Sequence, residues 1–229
     1  MTNPKAQADI VSAVLIVLIA LGLTATVYTW GLPLIKKKQD TAVVDRIDSF
    51  FDQNSANSLP SKIEFIANNG GEQSFSIDAT GTWFIHPCTQ DELSVCNPFP
   101  GDNFRKENNS IEFVFFSQVS KIATNARFIS LTPGASCPPS PGILGKDKSS
   151  VVCASATALH DGYQIVYKVW FRELDEPAAS RGYKIDLTKH EAGTYNSSTK
   201  TIRISRQSNN QVSLGGKTLI IPEIKILLE

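Results

Sequence analysis

From Ile10 to Ile35 the chain carries no charged side chain, and no other feature limits its fold so strongly. At about 1.5 Å of rise per residue, a helix over this run measures roughly 39 Å, longer than the roughly 30 Å hydrocarbon core of a bilayer. A helix without a polar face has no stable place in water, so the run belongs in lipid or in a wholly apolar protein interior. Lys36, Lys37 and Lys38 close it, and Tyr28 and Trp30 stand near that end as interface aromatics do. Gly22, Gly31 and Pro33 interrupt it, and Pro33 is expected to bend or loosen its last turn.

Beyond the lysines the pattern becomes amphipathic. Val43, Val44, Ile47, Phe50 and Phe51 recur at three and four residues, while Asp45, Arg46, Asp48 and Asp52 fill the opposite face. This predicts a helical extension over residues 36–57, with Asn54 to Pro60 as its breakers. The stripe is expected to dock on the domain that follows. From Ser61 the period changes to two: Ile63/Phe65, Phe75/Ile77, Trp83/Ile85, Ile111/Phe113/Phe115, Ala126 to Leu131, Ile165/Tyr167/Val169/Phe171, Tyr183/Ile185/Leu187, Ile202/Ile204 and Leu219 to Leu228. Asn68-Asn69-Gly70-Gly71 reads as a hairpin turn between the first two. The expected fold is α+β: a long hydrophobic N-terminal helix, then an antiparallel, sandwich-like β-rich domain over 58–229. Two Pro- and Gly-rich connections, about 87–110 and 132–150, read as surface loops.

Lys plus Arg equals Asp plus Glu, which argues against bulk electrostatic binding of nucleic acid. Four cysteines, Cys88, Cys96, Cys137 and Cys153, lie in the soluble part; they allow three pairings, and disulfides would place the domain outside the cytosol. Asn108-Asn109-Ser110 and Asn196-Ser197-Ser198 form glycosylation sequons at Asn108 and Asn196. Catalytic patterns fail on inspection. Gly216-Lys217-Thr218 resembles the end of a phosphate loop, but Gln211 stands where its first glycine belongs and a strand follows. His86, His160 and His190 are far apart, and Glu173-Leu174-Asp175-Glu176 reads as a solvated turn rather than a calcium site. No enzyme activity, metal or cofactor is expected.

The apolar run admits three readings. A cleaved signal peptide is excluded by its length and by the lack of a small-residue cleavage site after it. An ordinary anchor obeying the positive-inside rule would put Lys36 to Lys38, and with them the domain, in the cytosol, against the disulfide reading. The third starts from Lys5-Ala6-Gln7, directly followed by the apolar helix. This arrangement resembles the class III signal of archaeal type IV pilin-like and archaellin-like proteins. The resemblance implies cleavage between Ala6 and Gln7 by a prepilin peptidase on the cytoplasmic side, leaving residues 1–6 as the leader and 7–35 as the retained membrane and assembly helix. It implies a domain outside the cell, and self-association of helices through positions such as Ile10, Ala13, Leu15, Ala20, Gly22, Ala25 and Pro33. The small residues among these allow close helix approach. The family's bacterial members usually carry Glu where this chain has Val11; the nearest acid is Asp9. A structural filament subunit, with adhesion as a further role, is thus the expected function. The alternative is a membrane-anchored solute- or sugar-binding protein with the same signal, using Trp83, Trp170 and Tyr183.

Overall fold

The computed structural model describes residues 4–87, 109–214 and 216–229. Its chain divides into two compact units, Met1–Ala42 and Val43–Glu229. One helix, α1 (Pro4–Phe51), supplies the first unit and the opening of the second, and it continues through Pro33. It ends at Phe51, short of residue 57, because Asp52 turns the chain: its carboxylate accepts the Asn54 N–H, and its carbonyl accepts the Ser55 N–H.

The next element corrects the sequence reading. Residues 59–69 form a helix, α2 (Leu59–Asn69), in place of a strand at Ile63/Phe65 and a hairpin at Asn68 to Gly71. Ser58 caps it, with its hydroxyl accepting from Ser61 N, and Pro60 sits in its first turn, where a missing N–H costs nothing. Leu59, Ile63, Ile66 and Ala67 form its buried face at helical spacing. Gly70 ends it with a positive φ of 80°, donating its N–H to Ile66 O at 2.7 Å. Pro60 therefore starts an element instead of breaking one.

Thirteen strands follow among the described residues: β1 (Glu72–Ser76), β2 (Gly81–His86), β3 (Ser110–Ser117), β4 (Asn125–Ser130), β5 (Gly142–Ile143), β6 (Ser150–Leu159), β7 (Gly162–Phe171), β8 (Leu174–Glu176), β9 (Arg181–Tyr183), β10 (Asp186–Lys189), β11 (Asn196–Ser197), β12 (Thr201–Leu214) and β13 (Lys217–Leu228). One sheet runs β11-β2-β3-β7-β6-β4, with every pair antiparallel. The other runs β1-β12-β13-β9-β8-β5, and β10 also pairs with β13. This second sheet is mixed rather than purely antiparallel, because β9 and β10 lie parallel to β13, and β5 parallel to β8. Pro222 falls in the gap between the β9 and β10 partners of β13, a place suited to a residue with no N–H to give.

A single apolar core joins both sheets to α2 and the end of α1. Trp83, Phe113, Ile165 and Tyr167 come from the antiparallel sheet, Ile202, Ile204, Ile224 and Ile226 from the mixed one. A smaller cluster, Val151, Cys153 and Trp170, lies on the other face of the antiparallel sheet beneath Phe128, Ala135 and Cys137. Both faces of β6 are therefore covered from Ser150 to Ala156.

Candidate assembly helix and its anchorage

In the first unit, α1 is long and apolar enough to cross a membrane. Its large apolar side chains from Val11 to Ile35 are all exposed, from 45% at Leu32 to 76% at Trp30. Its threonine hydroxyls bond back onto the helix. Thr24 donates to Ala20 O at 2.8 Å, Thr26 to Gly22 O at 2.8 Å and Thr29 to Ala25 O at 3.0 Å. Such back-bonding satisfies these three threonine donors within the helix, as an apolar environment requires. At 100° per residue Ala13, Ala20, Thr24 and Gly31 fall on one face, whereas Gly22 and Ala25 fall elsewhere. A Cβ added at Gly22 would meet nothing within 4 Å, and one at Gly31 would meet only Val27 Cγ1 at 3.7 Å. Among the described residues no contact accounts for either glycine, although each costs about 1 kcal/mol of helix propensity relative to alanine.

Lys5, Ala6 and Gln7 lie in the opening turns of the same helix; their side chains, and that of Ile10, lie outside the described part. Leu15 is exposed, and Lys36, Lys37 and Lys38 continue the helix as exposed residues.

The Val43–Glu229 unit holds the end of α1 by packing and by polar contacts. Val44, Ile47 and Phe51 are fully buried, and Val43 and Phe50 pack against them. The Phe51 ring stacks on Tyr167 with centroids 4.9 Å apart and tilts against Trp83 at 6.0 Å. Phe50 meets Phe75 and Trp83 edge-on at 6.3 and 6.2 Å. Around this cluster Tyr167 donates its hydroxyl to Asp48. Lys121 pairs with Asp45, and lies 3.6 Å from Asp48. Burial, followed by the Asp48 carboxylate, pushes the Tyr167 phenol well above its ordinary range, so it stays a donor at any physiological pH. The Asp45 hydrogen bond raises the Lys121 ammonium. Below Phe51, Gln53 Nε2 donates to Ser150 Oγ at 3.0 Å. The acidic face read from the sequence thus carries specific partners, which spacing alone could not name.

The remaining candidates are dispersed. Cys137 and Cys153 form a disulfide that staples the 132–150 connection onto β6; Cys88, Cys96 and Asn108 lie outside the described residues. Asn196 is exposed in β11. Trp83 and Trp170 are buried in the two apolar clusters, while Tyr183 is half-buried and donates to Asn68 Oδ1 at 2.9 Å. Glu173 and Asp175 both hold the Lys217 ammonium, and Lys217 opens strand β13. His86 faces Glu112 at 3.6 Å, and the nearly buried Lys168 reaches the same carboxylate at 3.3 Å. Burial alone would raise the Glu112 pKa, but the neighbouring His86 ring and the Lys168 charge outweigh it and hold the carboxyl below its ordinary range. His160 contacts Asp161, and His190 accepts the Ala192 N–H. Among the described residues no group of three His, Cys, Asp or Glu side chains is placed to hold a metal ion.

Set against known protein families, curated proteins and solved structures, the chain matches none.

Proposed function

We propose that this chain is a pilin-like structural subunit of an archaeal surface filament, processed between Ala6 and Gln7 and assembled through α1. One observation carries the reading: the helix from Val11 to Ile35 carries no charged side chain, exposes its large apolar side chains and turns its threonine hydroxyls back onto its own carbonyls. Lipid meets those requirements before assembly, and the helices of sister subunits meet them afterwards. The uncrowded Gly22 and Gly31 support the second environment, because a missing Cβ gains its value where another backbone comes close. The Val43-to-Phe51 stripe supports the same reading, since it fixes the end of that helix in the core of the β-rich unit. In this reading the unit is displayed outside the cell, where the Cys137–Cys153 disulfide persists. The chain has no catalytic role.

The test is the mature N-terminus. Co-expression with an archaeal prepilin peptidase followed by intact-mass analysis is expected to give a chain beginning at Gln7, and Lys5→Ala is expected to slow that cleavage. A chain still beginning at Met1 beside an active peptidase would overturn the reading.

A further inference from the structure

We infer that the outer half of β12 is a docking edge for a second copy of this chain, the two strands pairing antiparallel about a two-fold axis at Gln211. The inference does not rest on filament assembly, because the edge lies wholly within the Val43–Glu229 unit.

Only part of β12 is covered on both sides. β1 pairs with Thr201 to Ser205, and the Arg206 N–H still reaches Gly71 O at 3.2 Å. Beyond that point the strand pairs with β13 alone, up to Leu214. The register shifts between Arg206 and Ser208, and the shift reverses which backbone groups face which neighbour. On β13 the carbonyls of Ile220 and Ile226 accept from the Lys184 and His190 N–H groups, so its even-numbered residues face away from β12. Its odd-numbered residues face β12, where Ile221 and Leu219 stand opposite Asn210 and Val212. Asn209, Gln211 and Ser213 therefore aim their N–H and C=O groups outward, and among the described residues nothing pairs with those groups. The side chains of all three are exposed.

The other described edges are short or protected. β5 and β11 have two residues each. β4 carries Arg127 and an irregular register. β1 has five residues and opens on Glu72, which pairs with Arg203 at 3.3 Å. Shortness, charge and irregularity are the devices that keep a sheet edge from pairing. From Gln207 to Leu214 there is no charge and no proline, and the register shift lies before the open stretch.

The residues of this edge select a second copy as its occupant. A strand paired with its own copy about a two-fold meets itself in reverse, so a charge on the axis would face its like. With Gln211 on the axis, Gln211 faces its counterpart and Asn209 faces Ser213 of the other copy. Every outward N–H of the three residues then meets an outward carbonyl, and any other antiparallel register leaves some of them unpaired. The two Gln211 carboxamides lie side by side, each offering a donor and an acceptor to the other.

The experiment uses the full chain dispersed in detergent. Sedimentation velocity is expected to show a dimer that dissociates on dilution. Under mild oxidation Gln211→Cys should form a covalent dimer, because facing Cα atoms of a hydrogen-bonded pair stand about 5.5 Å apart, within disulfide range. Ser213→Cys should give about tenfold less: it is equally exposed, but its counterpart lies four residues along the pair, roughly 14 Å away. Peptide mapping distinguishes a bond at residue 211 from any made by the native cysteines. Gln211→Pro removes an outward N–H and no bond to β13, so it should melt like the parent while its dimer dissociates about tenfold more readily. A parent that sediments as a single chain would overturn the inference, whatever other extended segment the edge accepts. Equal cross-linking at residues 211 and 213 would overturn it too, and so would an undiminished dimer in Gln211→Pro, which would assign the contact to α1 or another surface. Every readout is taken on unprocessed, unassembled chains, so a failure of the filament reading leaves these results intact.

Discussion

Truncating Phe51 to alanine removes the ring on which the anchorage of α1 converges. The side chain is fully buried, stacked on Tyr167 at 4.9 Å, in contact range of Trp83, and 5.4 Å from Phe50. A buried Phe→Ala change costs about 3–5 kcal/mol, made up of lost transfer energy and the cavity left behind. The Tyr167 and Trp83 walls belong to a sheet, so they cannot close the gap cheaply, and the upper half of that range applies. For a unit of this size each kcal/mol moves the melting temperature by about 2–4 °C, which gives a fall of roughly 8–20 °C. The assay is thermal unfolding of the full chain in detergent, followed by near-ultraviolet circular dichroism, to which the packed Trp83, Tyr167 and Trp170 contribute. Leu23→Ala serves as the control: Leu23 is exposed on the apolar run and its loss should leave the transition in place. A Phe51→Ala protein that melts within a degree or two of the parent would refute the claim that this stripe joins the helix to the core.

Three further outcomes follow from the same geometry. Tyr167→Phe deletes the hydroxyl donated to Asp48 and should cost about 1.5–3 kcal/mol, the value of a hydrogen bond to a charged group, read by chemical denaturation. Cys137→Ser opens a loop closed across 16 residues and should cost about 3 kcal/mol, while reductant should destabilise the parent more than the variant. Glu112 binds protons less readily folded than unfolded, so its stabilisation is present above the ordinary value of 4.5 and is lost as pH falls through its lower folded value; Glu112→Gln should flatten that acid limb of the stability profile.

The parts of the fold legible in the sequence are those with an uninterrupted local period. The charge-free run and the stripe from Val43 to Phe51 are of this kind, and so are strands such as Ile165 to Phe171, whose alternation follows one buried face. The α2 helix escaped because its four apolar positions fall within nine residues, and Ile63/Phe65 also satisfies a period of two. Ser58, Pro60 and Gly70 mark its ends clearly once their capping roles are considered. Strand β6 escaped for a different reason. Its covered faces both hold small or apolar residues, so Val151 to Ala156 shows no alternation. Tertiary partners were beyond local reading altogether. Nothing in the spacing joins Asp48 to Tyr167, or Glu64 to Ser149 and Ser150.

The account stands or falls on whether α1 exchanges lipid for copies of itself. The direct measurement is electron cryo-microscopy of the full-length, Gln7-initiated chain after detergent removal. Ordered filaments with the apolar helices bundled at the axis are the predicted result, and a dispersed, stable single chain in plain buffer would contradict it.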